Sequence, residues 1–138
     1  MELYIYTDGA SRGNPGKSAS GYAIFNKSHT LLDARESYNG IKTNNFAEYY
    51  AVIMALTAAN VFGPESEIEL RSDSRLIVSQ LNGIFKVKDM QLKKLHENAI
   101  SLARSFKKCV FINVPRENKY ITEVDKALNN LLDKLEDT

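Results

Sequence analysis

The sequence predicts an α/β domain with its elements in the order βββαβαβα. Three observations carry this expectation. Five short runs are rich in β-branched and aromatic residues. Between and after them lie stretches whose apolar residues recur at helical spacing. Clusters of glycine, proline, asparagine and aspartate separate the two kinds of segment.

Residues 2–7 are β-formers that stop at Asp8-Gly9, and residues 10–16 (Ala10-Ser11-Arg12-Gly13-Asn14-Pro15-Gly16) read as a turn-rich loop. Residues 21–25 make a second strand. A turn at Asn26-Lys27-Ser28-His29 leads to a third over 31–38, and strands this close in sequence pair most simply as an antiparallel hairpin. Residues 45–60 place Phe46, Tyr49, Val52, Ile53 and Leu56 at helical spacing, and Gly63-Pro64 ends that helix. Residues 68–70 form a fourth strand. A short helix over 74–81 carries Leu76, Ile77 and Leu81 on an apolar face and closes at Asn82-Gly83. Leu92, Leu95, Ala99, Leu102, Ala103 and Phe106 mark another helix in the same interval. Residues 110–114 make a fifth strand stopped by Pro115. Val124, Leu128, Leu131, Leu132 and Leu135 form the terminal helix.

A chain of 138 residues suffices for one domain with a real core. Hydrophobic residues at 43% and charged residues at 25% are ordinary globular composition. The net charge of +1 excludes a polycation, so nucleic-acid binding would need a local patch. The single cysteine, Cys109, excludes an internal disulfide and fits a reducing, cytoplasmic setting. It falls in a strand-like run and reads as a buried structural thiol. No apolar run approaches membrane-spanning length, and the strand pattern beginning at Glu2 does not resemble a signal peptide. A stand-alone monomer is expected.

Four carboxylates stand where a metal-dependent nuclease would place them. Asp8 and Asp73 fall at the ends of predicted strands; Glu48 and Asp125 fall in the first turns of predicted helices. Side chains at such ends converge on one crevice in α/β folds. An all-carboxylate set without thiols suits hard cations such as Mg²⁺. Each residue also has a plain structural reading. Asp8-Gly9 can start a turn. Asn45 with Glu48, and Thr122 with Asp125, have capping-box spacing. Asp73 can cap the helix beginning at Ser74.

Their neighbours decide between these readings. Tyr6-Thr7-Asp8-Gly9-Ala10-Ser11-Arg12-Gly13-Asn14-Pro15-Gly16 closely resembles the first motif of type 1 ribonuclease H. Thr43-Asn44-Asn45-Phe46-Ala47-Glu48 is similar to its second motif and Ser72-Asp73-Ser74 to its third. Val114-Pro115-Arg116-Glu117-Asn118, followed by Val124-Asp125-Lys126-Ala127, is similar to its last. The order of elements matches over nearly the whole chain.

This resemblance implies a ribonuclease H-like fold: a five-stranded mixed sheet with helices on both faces, one domain over residues 1–138. It implies hydrolysis of the RNA strand of an RNA/DNA hybrid. Asp8, Glu48, Asp73 and Asp125 would be catalytic and would hold two Mg²⁺ ions, with Mn²⁺ as an alternative. Two such ions, roughly 3.5–4 Å apart, stabilise the attacking and leaving oxygens of an in-line displacement. It implies that Asn14 and Thr43 hold a DNA-strand phosphate and that Asn44 and Asn45 touch the minor groove. Backbone groups around Ser11, Arg12 and Gly13 would meet ribose 2′-hydroxyls. Ser74 and Arg75 would lie beside the metals, with Arg75 a phosphate contact.

The chain departs from many relatives in two places. Residues 83–89 run directly into the next helix, so the basic helical protrusion is absent; Lys86, Lys88, Lys93 and Lys94 would make a smaller basic face. The loop over 115–120 has no histidine before the last aspartate, leaving Arg116 or Glu117 as auxiliary residues. His29 and His96 fit neither role and read as surface residues. Three other readings remain open: a DNA-cutting nuclease of the same fold, a non-catalytic nucleic-acid-binding module, and a domain excised from a reverse transcriptase.

Overall fold

Strand β1 (Glu2–Gly13) is the axis of the molecule, and everything that places the candidate site is built on it. The computed structural model describes residues 1–136; Asp137 and Thr138, the last two of the expected domain, lie outside the described residues. β1 pairs antiparallel with β2 (Gly16–Asn26), which pairs antiparallel with β3 (Leu31–Lys42). On its other edge β1 pairs parallel with β4 (Glu67–Ser72), and β4 with β5 (Lys108–Asn113). The result is a five-stranded mixed sheet in the order β3-β2-β1-β4-β5.

The remaining elements are α1 (Asn44–Ala59), a 3₁₀ turn at Asn60–Phe62, α2 (Arg75–Leu81), α3 (Met90–Ala103) and α4 (Lys119–Glu136). Side chains alternate across β1 because successive residues of a strand point to opposite faces. Leu3 and Ile5 join Tyr49, Val52 and Leu56 of α1 and Ala99 of α3 in the larger core. Tyr6 points the other way, to Ile121 and Val124 of α4. Further along α4, Leu128 and Leu132 pack on Ala19 of β2. Helices therefore cover both faces, as expected. Among the described residues, no helix is long and apolar enough to cross a membrane.

Three expectations are corrected. β1 does not stop at Asp8-Gly9. It continues to Gly13, paired with β2 as far as Gly13 opposite Gly16, so the predicted loop is a hairpin whose turn is only Asn14 and Pro15. Asp8 is thus inside a strand. α4 begins at Lys119, well before the first predicted apolar position, so Asp125 is past its first turn. Asn118 starts that helix: its Oδ1 accepts from the backbone N–H groups of Tyr120 (2.9 Å) and Ile121 (3.2 Å). His96 is not a plain surface residue but half-buried, and His29, exposed as expected, is not free of contacts. His29 stacks on Tyr4 and Tyr120, with ring centroids 5.0 and 5.2 Å away. His96 Nε2 lies 3.0 Å from the Gln80 carbonyl oxygen, between α3 and α2.

The basic protrusion is absent, as expected. α2 ends at Leu81 and α3 starts at Met90. The connection is stitched by Ile84 and Phe85 N–H groups donating to the Ser79 carbonyl, and its Lys86 and Lys88 are exposed.

Candidate active site

The strand pairing creates the site. β4 ends at Ser72, level with Thr7 of β1. The next residues, Asp8 and Asp73, fall where the two parallel strands part, in the position where open α/β sheets bind ligands. Beyond that point β1 has no partner on its β4 side.

α1 supplies the third carboxylate. Thr43 caps the helix, its Oγ1 accepting from Phe46 N–H at 3.1 Å. The capping-box reading of Glu48 therefore fails. Glu48 instead reaches across to β1, where its Oε1 accepts from Gly9 N–H at 3.1 Å. This approach requires glycine at position 9: a Cβ there would lie 2.4 Å from the Ala47 carbonyl carbon and 2.5 Å from Glu48 N. Asp73 is not the cap of α2 either. Ser74 is, accepting from Ile77 N–H at 3.3 Å. All three plain structural readings of Glu48, Asp73 and Asp125 thus have other residues in those roles.

Carboxylate oxygens of Asp8, Glu48 and Asp73 all lie within 4.8 Å of one another. Asp125 lines the same open cleft of about 730 Å³, with Gly9, Ala10, Ser11, Asn44, Ser74, Arg116, Glu117 and Asn129. Asp8 and Glu48 are buried. Burial, and then the neighbouring carboxylates, push Asp8 far above the usual carboxylate range. Burial and the Asp73 charge push Glu48 up as well. Asp73 is raised by burial, opposed by the Arg116 guanidinium. Such a cluster resists full ionisation unless positive charge joins it. Glu48 Oε2 is buried and has no hydrogen-bond partner. A buried orphan acceptor within an all-oxygen donor set fits a hard cation, so Asp8, Glu48 and Asp73, with Asp125 beside them, are the residues to hold one.

The other expected site residues divide. Ser11, Asn44, Ser74, Arg116 and Glu117 line the cleft. Asn14 Oδ1 accepts from Asn44 N–H at 3.1 Å, tying the hairpin tip to the start of α1. Thr43, Asn45 and Gly13 sit around that junction without lining the cleft. Arg75 is exposed on α2 and is not brought into the cleft. Arg12 turns its side chain to α4, where it pairs with Asp133 and Glu136. Asn129 is a cleft residue that sequence reasoning missed. The available signal was its position one helical turn after Asp125, on the same face.

These features define a carboxylate-lined cleft on a ribonuclease H-like sheet. The chain belongs to the reverse transcriptase-like family, whose model matches residues 6–124. Relatives named ribonuclease H or ribonuclease HI are among the proteins it matches. It is 37% identical to ribonuclease HI of Halobacterium salinarum over 95% of this chain and 64% of that protein. It is 37% identical to a bifunctional protein of Mycobacterium tuberculosis over 96% of this chain and 36% of that protein. The crystal structure of RNase H1 from Halobacterium salinarum matches with a TM-score of 0.91 at 36% identity, covering 97% of this chain and 99% of that one. An RNase H1 isolated from compost, solved in complex with an RNA/DNA hybrid, matches with a TM-score of 0.90 at 36% identity, covering 96% of this chain and 98% of that one. The chain thus spans only part of the length of the curated relatives it matches.

Proposed function

We propose that this chain is an endoribonuclease that hydrolyses the RNA strand of RNA/DNA hybrids, using two Mg²⁺ ions held by Asp8, Glu48, Asp73 and Asp125. The observation that carries the reading is the convergence of three carboxylates within 4.8 Å around a buried, unpartnered Glu48 oxygen. The chemistry supplied by the ions when bound is neutralisation of charge at the scissile phosphate and acidification of the attacking water.

The chain's own groups do the positioning. Gly9 N–H holds Glu48 by one oxygen and leaves the other, buried, without a hydrogen-bond partner among the described residues. Because Gly9 N–H turns to Glu48, strand alternation turns the backbone of Ser11, two residues on, to the same edge. The backbone around Ser11, Arg12 and Gly13 is assigned to ribose hydroxyls, the feature that distinguishes RNA from DNA. The hairpin tip, joined to α1 through Asn14 and Asn44, offers Asn14, Thr43, Asn44 and Asn45 to a nucleic-acid backbone. Arg116 and Glu117 line the cleft, from a loop that holds no histidine, and they are the auxiliary candidates. Arg116 also keeps a cation beside Asp73.

The same reading takes the chain as one domain working as a monomer in the cytoplasm, with hybrid as its partner. Cys109 has no part in the chemistry, since burial pushes its thiol up to about 12 and a protonated thiol is a poor nucleophile. The test is incubation of labelled RNA/DNA hybrid, duplex RNA and duplex DNA with and without Mg²⁺. Cleavage of the hybrid's RNA strand alone, and only with metal, is the expected result. Cleavage of duplex DNA instead would assign the site to a DNA nuclease.

A further inference from the structure

Of the four carboxylates, three sit on or against β1 and β4. Asp125 alone is carried by α4, the helix on the opposite face. What holds α4 to the sheet is mainly apolar: Ile121 and Val124 against Tyr6, Leu128 and Leu132 against Ala19. Tyr120 also orients the first turn, its ring packed on Tyr6 and Phe25 at 4.7 and 4.8 Å, whereas the apolar contacts further along are non-directional and specify rotation less.

A hydrogen-bonded network ties the far half of the helix to β1. Arg12, on β1 beyond Asp8, places Nη2 2.7 Å from Asp133 Oδ1 and Nη1 2.8 Å from Glu136 Oε2. Nη2 also donates to Asn129 at Oδ1 (3.1 Å) and at the backbone carbonyl (3.3 Å). The Asn129 side chain then passes the constraint one turn back, its Nδ2 donating to the Asp125 carbonyl at 3.0 Å. A guanidinium fork engaging three residues of one helix fixes orientation as a flexible ammonium does not.

We propose that Arg12 is a positioning residue: through Asn129, Asp133 and Glu136 it sets the rotation of α4, and so the placement of Asp125 against Asp8. This rests on the reading of the four carboxylates as one metal site. The ion pairs are partly exposed, with side-chain exposures of 28% for Arg12, 63% for Asp133 and 45% for Glu136. Exposed pairs add little to stability. Loss of the network should therefore damage geometry far more than folding.

The experiment compares the whole protein with Arg12→Met, Arg12→Lys and the double variant Asp133→Asn/Glu136→Gln. Hybrid cleavage is resolved into kcat and KM. Mn²⁺ binding is measured calorimetrically without nucleic acid, and hydrogen exchange of α4 amides is followed in metal-free protein. Arg12→Met should lower kcat about tenfold, in line with loss of an outer-shell partner, with KM nearly unchanged. It should weaken Mn²⁺ binding and speed exchange around residues 122–129 at an almost unchanged unfolding temperature. The Asp133/Glu136 double variant should behave alike although neither residue lines the cleft, and Arg12→Lys should recover part of the loss. Unchanged kcat in Arg12→Met, a rise in KM alone, or a loss explained by unfolding at assay temperature would overturn the proposal. If wild-type protein does not cut hybrid but Arg12→Met still loses Mn²⁺ affinity, the functional reading has failed and the positioning role stands.

Discussion

Asp8 shows how one residue can be costly to the fold and necessary to the site. Its carboxyl is buried among like charges, and its proton affinity in the folded protein is well above that in an unfolded chain. A group with a raised folded pKa gives stability that is complete below the ordinary carboxylate pKa of about 4 and is lost as pH rises toward the folded value. Glu48 acts in the same direction. Metal-free protein should therefore lose stability steadily from about pH 4 through neutrality and on into the alkaline range. Mg²⁺ should restore most of it by binding only the folded form. Asp8→Asn should abolish hybrid cleavage, flatten this pH dependence and stabilise the metal-free protein by on the order of 2 kcal/mol near pH 7. Denaturant titrations across pH, with and without Mg²⁺, read all three effects; an Asp8→Asn variant with normal activity would remove Asp8 from the mechanism. The histidines separate stability from chemistry. His96→Ala should cost about 1 kcal/mol through its lost hydrogen bond, with kcat unchanged. Cleavage should rise from pH 6 toward alkaline values, since protons compete with metal for carboxylates. A fall through the imidazole range would mean that a histidine reaches the cleft.

At the level of elements, the two segments carrying Asp8 and Asp125 were the ones least legible in the sequence. Residues 10–16 hold two glycines and a proline, and such composition reads as loop. The structure uses those residues otherwise. Gly16 sits where a Cβ would lie 2.1 Å from the Arg12 carbonyl oxygen, so the glycine permits a close hairpin instead of ending a strand. The strand order past residue 9 is set by pairing to β2, which a local reading does not see. The start of α4 was hidden differently. Lys119, Thr122 and Glu123 give no apolar period, and the helix begins from an Asn118 cap that follows a proline loop. By contrast α1, with its long apolar repeat, was legible to within a residue or two. So was the convergence of Asp8, Glu48 and Asp73, because short motifs survive errors in element boundaries. The contact between α1 and β1 gives a sharp test. Gly9→Ala should cost about 3 kcal/mol, because the new methyl meets helix backbone and not a movable side chain. Thr43→Ala, which only removes a cap, should cost about 1 kcal/mol. If equilibrium unfolding ranks these two in the reverse order, the close packing of α1 on β1 is wrong.

For the molecule as a whole, charge is nearly balanced at +1, and no basic appendage follows α2. Hybrid affinity should fall with salt, but less steeply than in a relative carrying the protrusion, since fewer phosphates are neutralised. Binding by Asp8→Asn protein at several salt concentrations measures the slope; an equally steep slope would reveal a basic face elsewhere. The sheet order and the cleft could be anticipated from motif order, whereas the linkage of Arg12 to α4 could not, because it joins residues over a hundred positions apart. The α2–α3 connection has a consequence for engineering. It is exposed, its main-chain ties close on Ser79 and Gln80 of its own helix, and it lies outside the cleft lining. Lengthening such a loop is entropically cheap. Grip and turnover should then be separable modules: a basic helical insert grafted at 84–88 would raise affinity and salt sensitivity together, while kcat on saturating hybrid stays that of the parent.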